Sequence, residues 1–504
     1  MSEVAGEYLV GIDIGTSGCK VALFTADGEV LFQGTKSYPT YYPAPGYAEQ
    51  NPEEWWEAVC QNLRQMFRQT GVDPKRIKGI GVDGQSGSAI PMGKHHRPLR
   101  NSIIWLDRRS VEQYESLKRS VGEDEIFAVS GNPLSPSYVT GKILWIKEHE
   151  PDIFAQTGKM IQSNSYIVFK LSGVYTQDVS QGNGNHAFHI EQADWDYDLA
   201  ERMGIPASLL PDVYESSDVV GTVTSQAAQE TGLAAGTPVV AGGLDAACAT
   251  LGAGAYQAGQ VQEQGGQAGG MSIVMDRPVK NRKLILSRHI VTDTWILQGG
   301  TVGGGSLNWL KREFGDALGP FFFEKANDEA SRVGPGSDGL IFLPYMAGER
   351  SPIWNPDAKG VFIGLSYEKT RGHIVRAIME GCAFALQHNL KTAEASGVDI
   401  HSLYSVGGAA NSELWTQIKA DVTGKKIGIP SSDSAAALGA AILAGVGTGV
   451  YRSFEEGVKR SVRMTKEHYP DMVNNTIYRQ AYETYLEVCE NLKHVFSRLG
   501  RWSS

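Results

Sequence analysis

Alternation of apolar and polar positions predicts a strand-rich start to the chain. In EYLVGIDIGTSGCKVALFTADGEVLFQGTKSY, three apolar, β-rich runs are separated by GTSG and by Asp27-Gly28, a strong two-residue hairpin signal. A helix is predicted next, with Asn51 as its cap, Pro52 at its first position and Gly71 at its end. IKGIGVDGQSGSAIPM then predicts a further strand and turn. Strands alternating with helices indicate an α/β fold.

A glycine-rich, weakly charged stretch lies near the middle of the chain. In GTPVVAGGLDAACATLGAGAYQAGQVQEQGGQAGGMSIVM, PVVAG predicts a buried strand and DAACATLGA a tightly packed helix. QVQEQGGQAGGMSIVM places a glycine-rich bend between two strands, which echoes the opening hairpin. We therefore predict two related halves, residues 1–250 and 251–504, with a site where they meet. The apolar SAAALGAAILAGVGTGVY contains four glycines, and we interpret it as a packed helix.

Composition excludes some classes of partner. A net charge of −10 without a long basic run argues against nucleic acid or a membrane surface and favours a small-molecule substrate. The five cysteines have no metal-ligand spacing, which predicts reduced thiols in the core. The start of the chain lacks a basic n-region, so we expect no signal peptide and a cytoplasmic location.

Two common nucleotide-binding motifs are absent from the sequence. It contains neither GxxxxGK[ST] nor GxGxxG between a strand and a helix, which leaves GIDIGTSGCK as the candidate phosphate loop. Gly15 and Gly18 would allow a sharp bend with backbone N–H groups near phosphate oxygens. Thr16 and Ser17 would add hydroxyl donors, and Lys20 would add a positive charge. The carboxylate of Asp13 would point to where a hydrated magnesium ion could sit. Taken alone, such a segment is more often a plain hairpin than a phosphate loop.

One carboxylate stands out in PVVAGGLDAACATLG. Asp245 is the only charge there, placed where a predicted strand gives way to a predicted helix. An aspartate in this position can cap the helix. Alternatively it can act as a general base in a cleft, since its small neighbours leave room for a substrate. From the residues alone, both interpretations stay open.

Five segments in order along residues 8–450 resemble the FGGY family of carbohydrate kinases. They are DIGTSGCK, KILWIKEH, AGGLDAACATLG, GVFIGLSYEKTRGHIVRAIMEG and VGGAANSELWTQIKADVTG. The resemblance implies two duplicated α/β domains of the actin/hexokinase (ribonuclease H-like) type around a catalytic cleft, with sugar held mainly by the first domain and ATP by the second. It also implies ATP and Mg²⁺ as cofactors. Within the family, GYAEQNPEEWW, SIIWLDRR and LPYMAGERSP look most like xylulokinases.

The resemblance assigns roles residue by residue. Asp245 matches the aspartate that takes the proton from the sugar hydroxyl, and Asp13 the residue near magnesium. The β/γ-phosphate contacts are matched by Thr16, Ser17, Gly18 and Lys20. Nucleotide-side positions are matched by Gly266, Gly304, Asn308, Gly408 and Asn411. The alternatives are a solvated strand lysine at Lys20, an ordinary helix-surface amide at Asn308, and tight packing at the glycines.

The predicted sugar site departs from the xylulokinase pattern. Residues expected to contact the sugar are Gln85, Ser86, Gly87, Trp105, Asp107, Asp245 and Ala246. Ser86 and Gly87 stand where Met and His are usual, and Ala246 where Asn is common, so three polar or bulky contacts are lost. D-xylulose is the first expectation for the substrate, with L-xylulose, ribulose, erythritol, gluconate and glycerol as alternatives.

A second departure lies in GGQAGG, where Gln267 replaces a threonine of the second phosphate motif. An amide can donate to a phosphate oxygen but is longer, so ATP would shift or turnover would slow. Three hypotheses remain: a sugar kinase, a catalytically weak sugar- or nucleotide-binding relative, and an actin-fold ATPase, which the sugar-side segments argue against. A homodimer is common in the family, although no segment here specifies an interface.

Overall fold

The computed structural model describes residues 6–266, 268–315, 319–431 and 434–501. Strands and helices alternate along these ranges, as the sequence predicts. The strands are β1 (Tyr8–Ile14), β2 (Gly18–Thr25), β3 (Val30–Ser37), β4 (Glu49–Gln50), β5 (Ile77–Gly84), β6 (Ile90–Gly93), β7 (Ser102–Ile103), β8 (Thr157–Ile161), β9 (Gln177–Asp178), β10 (Phe188–His189), β11 (Asp194–Trp195), β12 (Val213–Tyr214), β13 (Val219–Thr222), β14 (Pro238–Val240), β15 (Gly243–Leu244), β16 (Gln260–Gly265), β17 (Ala268–Met275), β18 (Ile285–Arg288), β19 (Trp295–Val302), β20 (Ile341–Pro344), β21 (Gly360–Ile363), β22 (Ser402–Val406), β23 (Lys426–Pro430) and β24 (Met464–His468).

The α-helices range from single-turn pieces to a long carboxy-terminal helix. They are α1 (Pro52–Thr70), α2 (Val111–Ser120), α3 (Glu123–Ser130), α4 (Val139–His149), α5 (Pro151–Gln156), α6 (Ser163–Ser172), α7 (Tyr197–Arg202), α8 (Ser225–Thr231), α9 (Asp245–Gly252), α10 (Gly305–Phe314), α11 (Phe322–Ser331), α12 (Arg371–Glu394), α13 (Glu413–Thr423), α14 (Ala435–Gly447), α15 (Phe454–Ser461) and α16 (Met472–Gly500).

Local sequence signals place several of these elements correctly. The side chain of Asn51 accepts a hydrogen bond from the Glu53 backbone N–H, and Gly71 ends α1 in the left-handed conformation. Gly28, also left-handed, turns the chain between β2 and β3. The predicted caps and hairpin are therefore confirmed. The sequence could predict them because each depends only on residues that are close together along the chain.

The chain forms two compact units that interleave along the sequence. Unit 1 comprises Met1–Tyr256, Met275–Ile296 and Ser434–Arg463, and unit 2 comprises Gln257–Val274, Leu297–Asp433 and Met464–Ser504. The central sheet of unit 1 has the order β13-β14-β5-β1-β2-β3, with β15 also paired to β5. Strands of unit 2 follow the order β19-β17-β16-β22-β23-β24. After residue 256 the chain passes between the two units several times. The predicted boundary at residue 250 stays a prediction.

The two sheets repeat one pattern. In unit 1, β1 pairs antiparallel with β2 and parallel with β5. In unit 2, β16 pairs antiparallel with β17 and parallel with β22. This repetition is what a duplicated α/β fold requires, and it explains the echo between the two glycine-rich hairpins.

Helix α14 packs against the central sheet of unit 1 without any space for side chains at the contact. A Cβ atom on Gly11 of β1 would lie 1.9 Å from the Ala437 carbonyl oxygen, and one on Gly81 of β5 would lie 1.9 Å from that of Ala440. Glycine on both strands therefore lets the helix backbone touch the sheet. The prediction of a packed helix for this apolar segment is confirmed.

Two further expectations can be compared with the structure. All five cysteines are buried and none forms a disulfide, as their spacing predicts. Among the helices described, none is both long and apolar enough to cross a membrane.

Candidate active site

Three carboxylates come together at one edge of the unit 1 sheet. Strand β1 runs parallel to β5 with Asp13 opposite Asp83, and β15 runs parallel to β5 with Gly243 opposite Asp83. Asp245 follows β15 directly as the first residue of α9. Carboxyl ends of parallel strands meet at the same edge, where α/β proteins place their ligands.

The Asp245 carboxyl has an altered acidity. Burial, followed by the negative charge of Asp13, raises its pKa to about 7, although the Ala246 backbone N–H donates to its Oδ1 at 2.6 Å. The cap position of α9 belongs to Leu244, and no side chain caps that helix end. The geometry therefore leaves this carboxylate near the other two, and its catalytic role stays a prediction.

A buried hydrogen-bond chain fixes the strand end that carries Asp245. The Leu244 backbone N–H donates to the Ser180 hydroxyl at 2.8 Å, and that hydroxyl donates to Asp178 Oδ1 at 2.5 Å. Asn164 donates to the other oxygen of Asp178 at 2.8 Å. Neither Ser180 nor Asp178 carried a recognisable signal in the sequence, because both lie more than 60 residues before the strand they support.

Asp83 is a residue that the sequence analysis missed. Its side chain is fully buried, and among the described residues only the neighbouring Asp13 carboxyl lies within hydrogen-bond reach of it. Burial, then the charges of Asp13 and Asp245, raise its pKa well above the usual range. Burial also raises the pKa of Asp13 despite Lys20, which lies opposite on β2. A usable signal existed, since Asp83 is the only charge in the apolar segment GIGVDGQSG, as Asp245 is in AGGLDAAC.

The carboxylate cluster has the donor chemistry that Mg²⁺ prefers. Asp13 and Asp245 offer carboxylate oxygens, whereas the buried Asp83 carboxyl lies within hydrogen-bond reach of that of Asp13. Among the described residues, no group of three or more His, Cys, Asp and Glu side chains has the spacing to enclose a metal ion. Mg²⁺ usually keeps several waters and is held by one or two carboxylates together with substrate phosphates.

The predicted phosphate hairpin has its sharp turn at residues 15–18. The Gly15 backbone N–H donates to the Gly18 carbonyl at 3.2 Å. Neither glycine has positive φ, so their role is not the left-handed conformation. A Cβ on Gly18 would lie 2.7 Å from the Lys36 carbonyl oxygen, so glycine is required by the neighbouring strand β3. Ser17 is exposed at the tip.

The Thr16 hydroxyl is already engaged. It donates to Gln85 Oε1 at 3.2 Å and accepts from the Trp105 indole N–H at 2.9 Å. Three residues that the sequence assigns to phosphate and sugar contacts are thus joined directly. In this arrangement the single hydroxyl hydrogen of Thr16 points to Gln85, and its contact with phosphate stays a prediction.

A buried lysine holds the predicted sugar loop, residues 85–87, by hydrogen bonds. Gly87 is left-handed, and a Cβ there would lie 2.4 Å from the Ser137 carbonyl oxygen, so only glycine fits. Lys142 donates to the carbonyls of Gly87 and, at 2.9 Å, of Ser137. Burial lowers the pKa of this lysine to about 7. Lys142 lies in the segment KILWIKEH, but nothing in the sequence indicated that it holds the sugar loop.

Asp107 serves a structural role in the described unit. It is buried, and its carboxylate accepts from the Ala48 backbone N–H at 2.6 Å and forms an ion pair with Arg109 at 2.8 Å. A direct contact between Asp107 and sugar stays a prediction, as do those of Ser86 and Ala246, both of which are partly exposed.

A cavity of about 530 Å³ lies within unit 2 at the predicted nucleotide positions. Its lining includes all five described residues assigned there, namely Gly266, Gly304, Asn308, Gly408 and Asn411. A Cβ on Gly408 would meet nothing within 4 Å, which shows open space on that side. Gln267 lies outside the described residues.

Helix α11 and the start of α13 complete the cavity with residues that the sequence did not indicate. Asn327 and Trp415 line it, and the Ser412 hydroxyl donates to Asn327 Oδ1 at 3.0 Å. That bond leaves the amide N–H₂ of Asn327 available as a donor. An apolar cavity with a few convergent polar groups is typical of a small-molecule site.

Comparison with known proteins matches both units. Residues 8–252 match the N-terminal domain, and residues 273–448 the C-terminal domain, of the FGGY family of carbohydrate kinases. The xylulose kinase of Bacillus subtilis is 31% identical over 498 residues, covering 98% of this chain and 99% of that protein. The gluconokinase of the same organism is 30% identical over 503 residues, covering 98% of each. A crystal structure of xylulose kinase from Rhodospirillum rubrum is 28% identical, with a TM-score of 0.91 over 97% of this chain and 100% of that one.

Proposed function

We propose, on the premise that this chain belongs to the FGGY family of carbohydrate kinases, that it converts D-xylulose to D-xylulose 5-phosphate. The general activity, ATP-dependent phosphorylation of a sugar or polyol hydroxyl, follows from the family and from relatives of nearly full length. The two duplicated α/β domains predicted from the sequence agree with that assignment.

The observation that carries the mechanism is the position of Asp245 beside Asp13 at the end of parallel strands. In a loose phosphoryl-transfer transition state, catalysis depends mainly on alignment and on neutralising charge. Asp245 would orient the attacking hydroxyl and accept its proton late in the reaction. Lys20 and the backbone N–H groups of Thr16 and Ser17 would face the transferred phosphoryl group, since the Gly15 N–H already donates to the Gly18 carbonyl.

Asp13 would hold Mg²⁺, which neutralises phosphate charge when it is bound. Asp83 would lie beside Asp13, and burial raises the pKa of its carboxyl well above the usual range, which disfavours a second negative charge there. The cavity of unit 2 would take the adenosine part of ATP, because its apolar lining and free amide donor suit a planar base.

Similarity supports D-xylulose as the sugar, since the xylulose kinase of Bacillus subtilis is 31% identical over 98% of this chain. Gluconate is the second candidate, because a gluconokinase matches at 30%. Ser86 and Gly87 place little bulk in the predicted sugar loop, which leaves room for either. A cytoplasmic location, the absence of a nucleic-acid partner and a homodimer stay proposals.

The experiment that tests this function measures ADP release from Mg-ATP with D-xylulose, L-xylulose, D-ribulose, erythritol, gluconate and glycerol. We expect stimulation by D-xylulose in the wild type and a loss of about 10²–10⁴-fold in Asp245→Asn. Asp212→Asn, the same substitution at an exposed aspartate, is the matched control and should retain wild-type activity. Stimulation by gluconate alone would replace the substrate, and no stimulation by any compound would refute the proposed activity.

A further inference from the structure

The side chains of Gln50, Gln85 and Thr16 in unit 1 form a hydrogen-bond ring that the backbone carbonyl of Thr16 closes. Gln50 Nε2 donates to the Thr16 carbonyl at 2.6 Å. The Thr16 hydroxyl donates to Gln85 Oε1 at 3.2 Å, and Gln85 Nε2 donates back to Gln50 Oε1 at 2.8 Å. Gln50 is 0% exposed and Gln85 is 1% exposed. The bond between the two glutamines is therefore sheltered from water, whereas Thr16 is partly exposed on the other side of the ring.

Gln50 uses its whole hydrogen-bonding capacity. Besides the ring bonds, its Nε2 donates to the Thr40 hydroxyl at 2.9 Å, and its Oε1 accepts from the Trp55 indole N–H at 3.2 Å. Two donors and two acceptors are thus all paired. The amide has a single workable orientation, because turning it over would place donors against donors.

The ring joins two segments with different predicted roles. Thr16 belongs to the predicted phosphate hairpin, and Gln85 belongs to the predicted sugar loop. Gln85 is fixed further through its backbone, since its N–H donates to the Ile14 carbonyl at 2.9 Å and its carbonyl accepts from the Ser163 hydroxyl at 2.8 Å. Gln50 comes from β4, outside both segments, and contacts each of them.

We propose that Gln50 is a positioning residue of the phosphoryl-transfer reaction, which sets the phosphate hairpin relative to the sugar loop through Thr16 and Gln85. This inference rests on the proposed function. Its physical basis is alignment: a displacement of about 1 Å at a reacting centre can lower the rate by about 10²-fold. Gln50 contacts neither substrate in this proposal and acts through the two residues it holds.

The first experiment compares Gln50→Leu with Gln61→Leu. Leucine at position 50 removes every bond of the amide, whereas Gln61 is exposed on α1 and outside the ring. We expect kcat to fall about 10–100-fold in Gln50→Leu, while the KM for sugar stays within about threefold and circular dichroism shows a folded protein. Gln61→Leu should match the wild type. A kcat within threefold of the wild type, with only a lower melting temperature, would overturn the proposal and leave a structural role.

A double-mutant cycle tests whether Gln50 acts through the ring. Thr16→Val removes the ring hydroxyl while keeping the branched shape of the side chain. If both residues work through the same hydrogen bonds, the kcat of the double variant will lie within about threefold of the slower single variant. Losses that multiply would show independent actions and contradict the ring. Should Gln50→Leu fail to fold, Gln50→Glu keeps the volume and both acceptors but loses the donor to Thr16, and the same fall in kcat is expected.

A binding measurement separates this inference from the proposed function. If the wild type transfers phosphate to no sugar, the proposed function fails, and the affinities of Mg-AMP-PNP and Mg-ADP still report on the hairpin. Gln50→Leu is then expected to weaken AMP-PNP about tenfold more than it weakens ADP, because, of the β- and γ-phosphates that the hairpin would contact, ADP carries only the first. An unchanged ratio of the two affinities would refute the positioning role.

Discussion

At the scale of single residues, we expect the acidity of Asp245 to set the pH dependence of the proposed reaction. Its pKa of about 7 means that the carboxylate is mostly protonated at pH 6 and cannot accept a proton. We expect kcat/KM to rise about tenfold per pH unit below about pH 7 and to level off above it. A pH–rate profile of the wild type checks this. A profile that is flat between pH 5.5 and 8 would show that proton acceptance by Asp245 does not limit the rate.

The burial of Asp83 determines how the stability of the folded protein changes with pH. The unfolded chain ionises this carboxyl near pH 4, whereas the folded protein keeps it protonated to a higher pH because burial raises its pKa. Folding therefore requires proton uptake above pH 4, and stability falls as the pH rises toward the folded-state pKa.

Asp83→Asn removes this dependence. We expect the variant to be more stable than the wild type at pH 8, by about 1–3 kcal/mol, with a smaller difference at pH 5. Thermal denaturation at both pH values measures it, and Asp212→Asn at the exposed position is the control. A stability difference between Asp83→Asn and the wild type that grows as the pH is lowered would contradict this prediction.

At the scale of elements, close packing of α14 on the unit 1 sheet makes glycine necessary at Gly11. A methyl group there would lie 1.9 Å from the Ala437 carbonyl oxygen, so the helix would have to move. We expect Gly11→Ala to lower the stability by about 1–3 kcal/mol or more. Gly158→Ala is the control, because the nearest atom to its added Cβ is 3.6 Å away. Equal melting temperatures for the two variants would mean that the contact can relax.

Helix α12 carries a buried ion pair that supports unit 2. Glu380 accepts from Arg376 at 2.8 Å, from the Tyr478 hydroxyl at 2.9 Å and from the Ser337 hydroxyl at 2.8 Å. Glu380→Ala would leave the Arg376 guanidinium buried without its carboxylate, and we expect a loss of about 3–5 kcal/mol. In the exposed pair of Glu490 and Lys493, Glu490→Ala should change stability by less than about 1 kcal/mol. Chemical denaturation distinguishes the two.

At the scale of the whole molecule, nucleotide binding should stabilise the folded chain by mass action. Gly408→Leu would fill the cavity of unit 2, because a side chain there extends into open space. We expect ADP to bind at least about tenfold more weakly and the ADP-induced rise in melting temperature to shrink, while the ligand-free protein melts as the wild type does. Gly334→Leu, at an exposed glycine of the same unit with equally open surroundings, controls for the added side chain. An unchanged ADP affinity would place the nucleotide elsewhere.

The duplicated sheet pattern gives the molecule its two chemically different halves. In unit 1 the edge where parallel strands end carries Asp13, Asp83 and Asp245. In unit 2 the equivalent pairing of β16 with β17 and β22 is followed by the glycine-rich cavity instead. One architecture thus supplies an acidic centre and a nucleotide-sized cavity, each from residues of its own unit.

The sequence by itself determined the features that depend on neighbouring residues. Asn51, Gly71 and the Asp27-Gly28 turn fix the ends of their elements through local backbone bonds, and ordered motifs identified the family. The lone charge in AGGLDAAC made Asp245 a candidate, while the residues alone left a helix cap and a general base as alternatives.

Only the tertiary structure decided which distant residues meet. Asp83 joins Asp13 because β5 pairs with β1, Lys142 reaches Gly87 across 55 positions, and Gln50 closes its ring across 34 and 35 positions. The segment of α14 belongs to unit 1 although almost 200 residues separate it from α9. Such contacts have no local signature, since the backbone pairing that brings them together is set by packing of the whole sheet rather than by adjacent side chains.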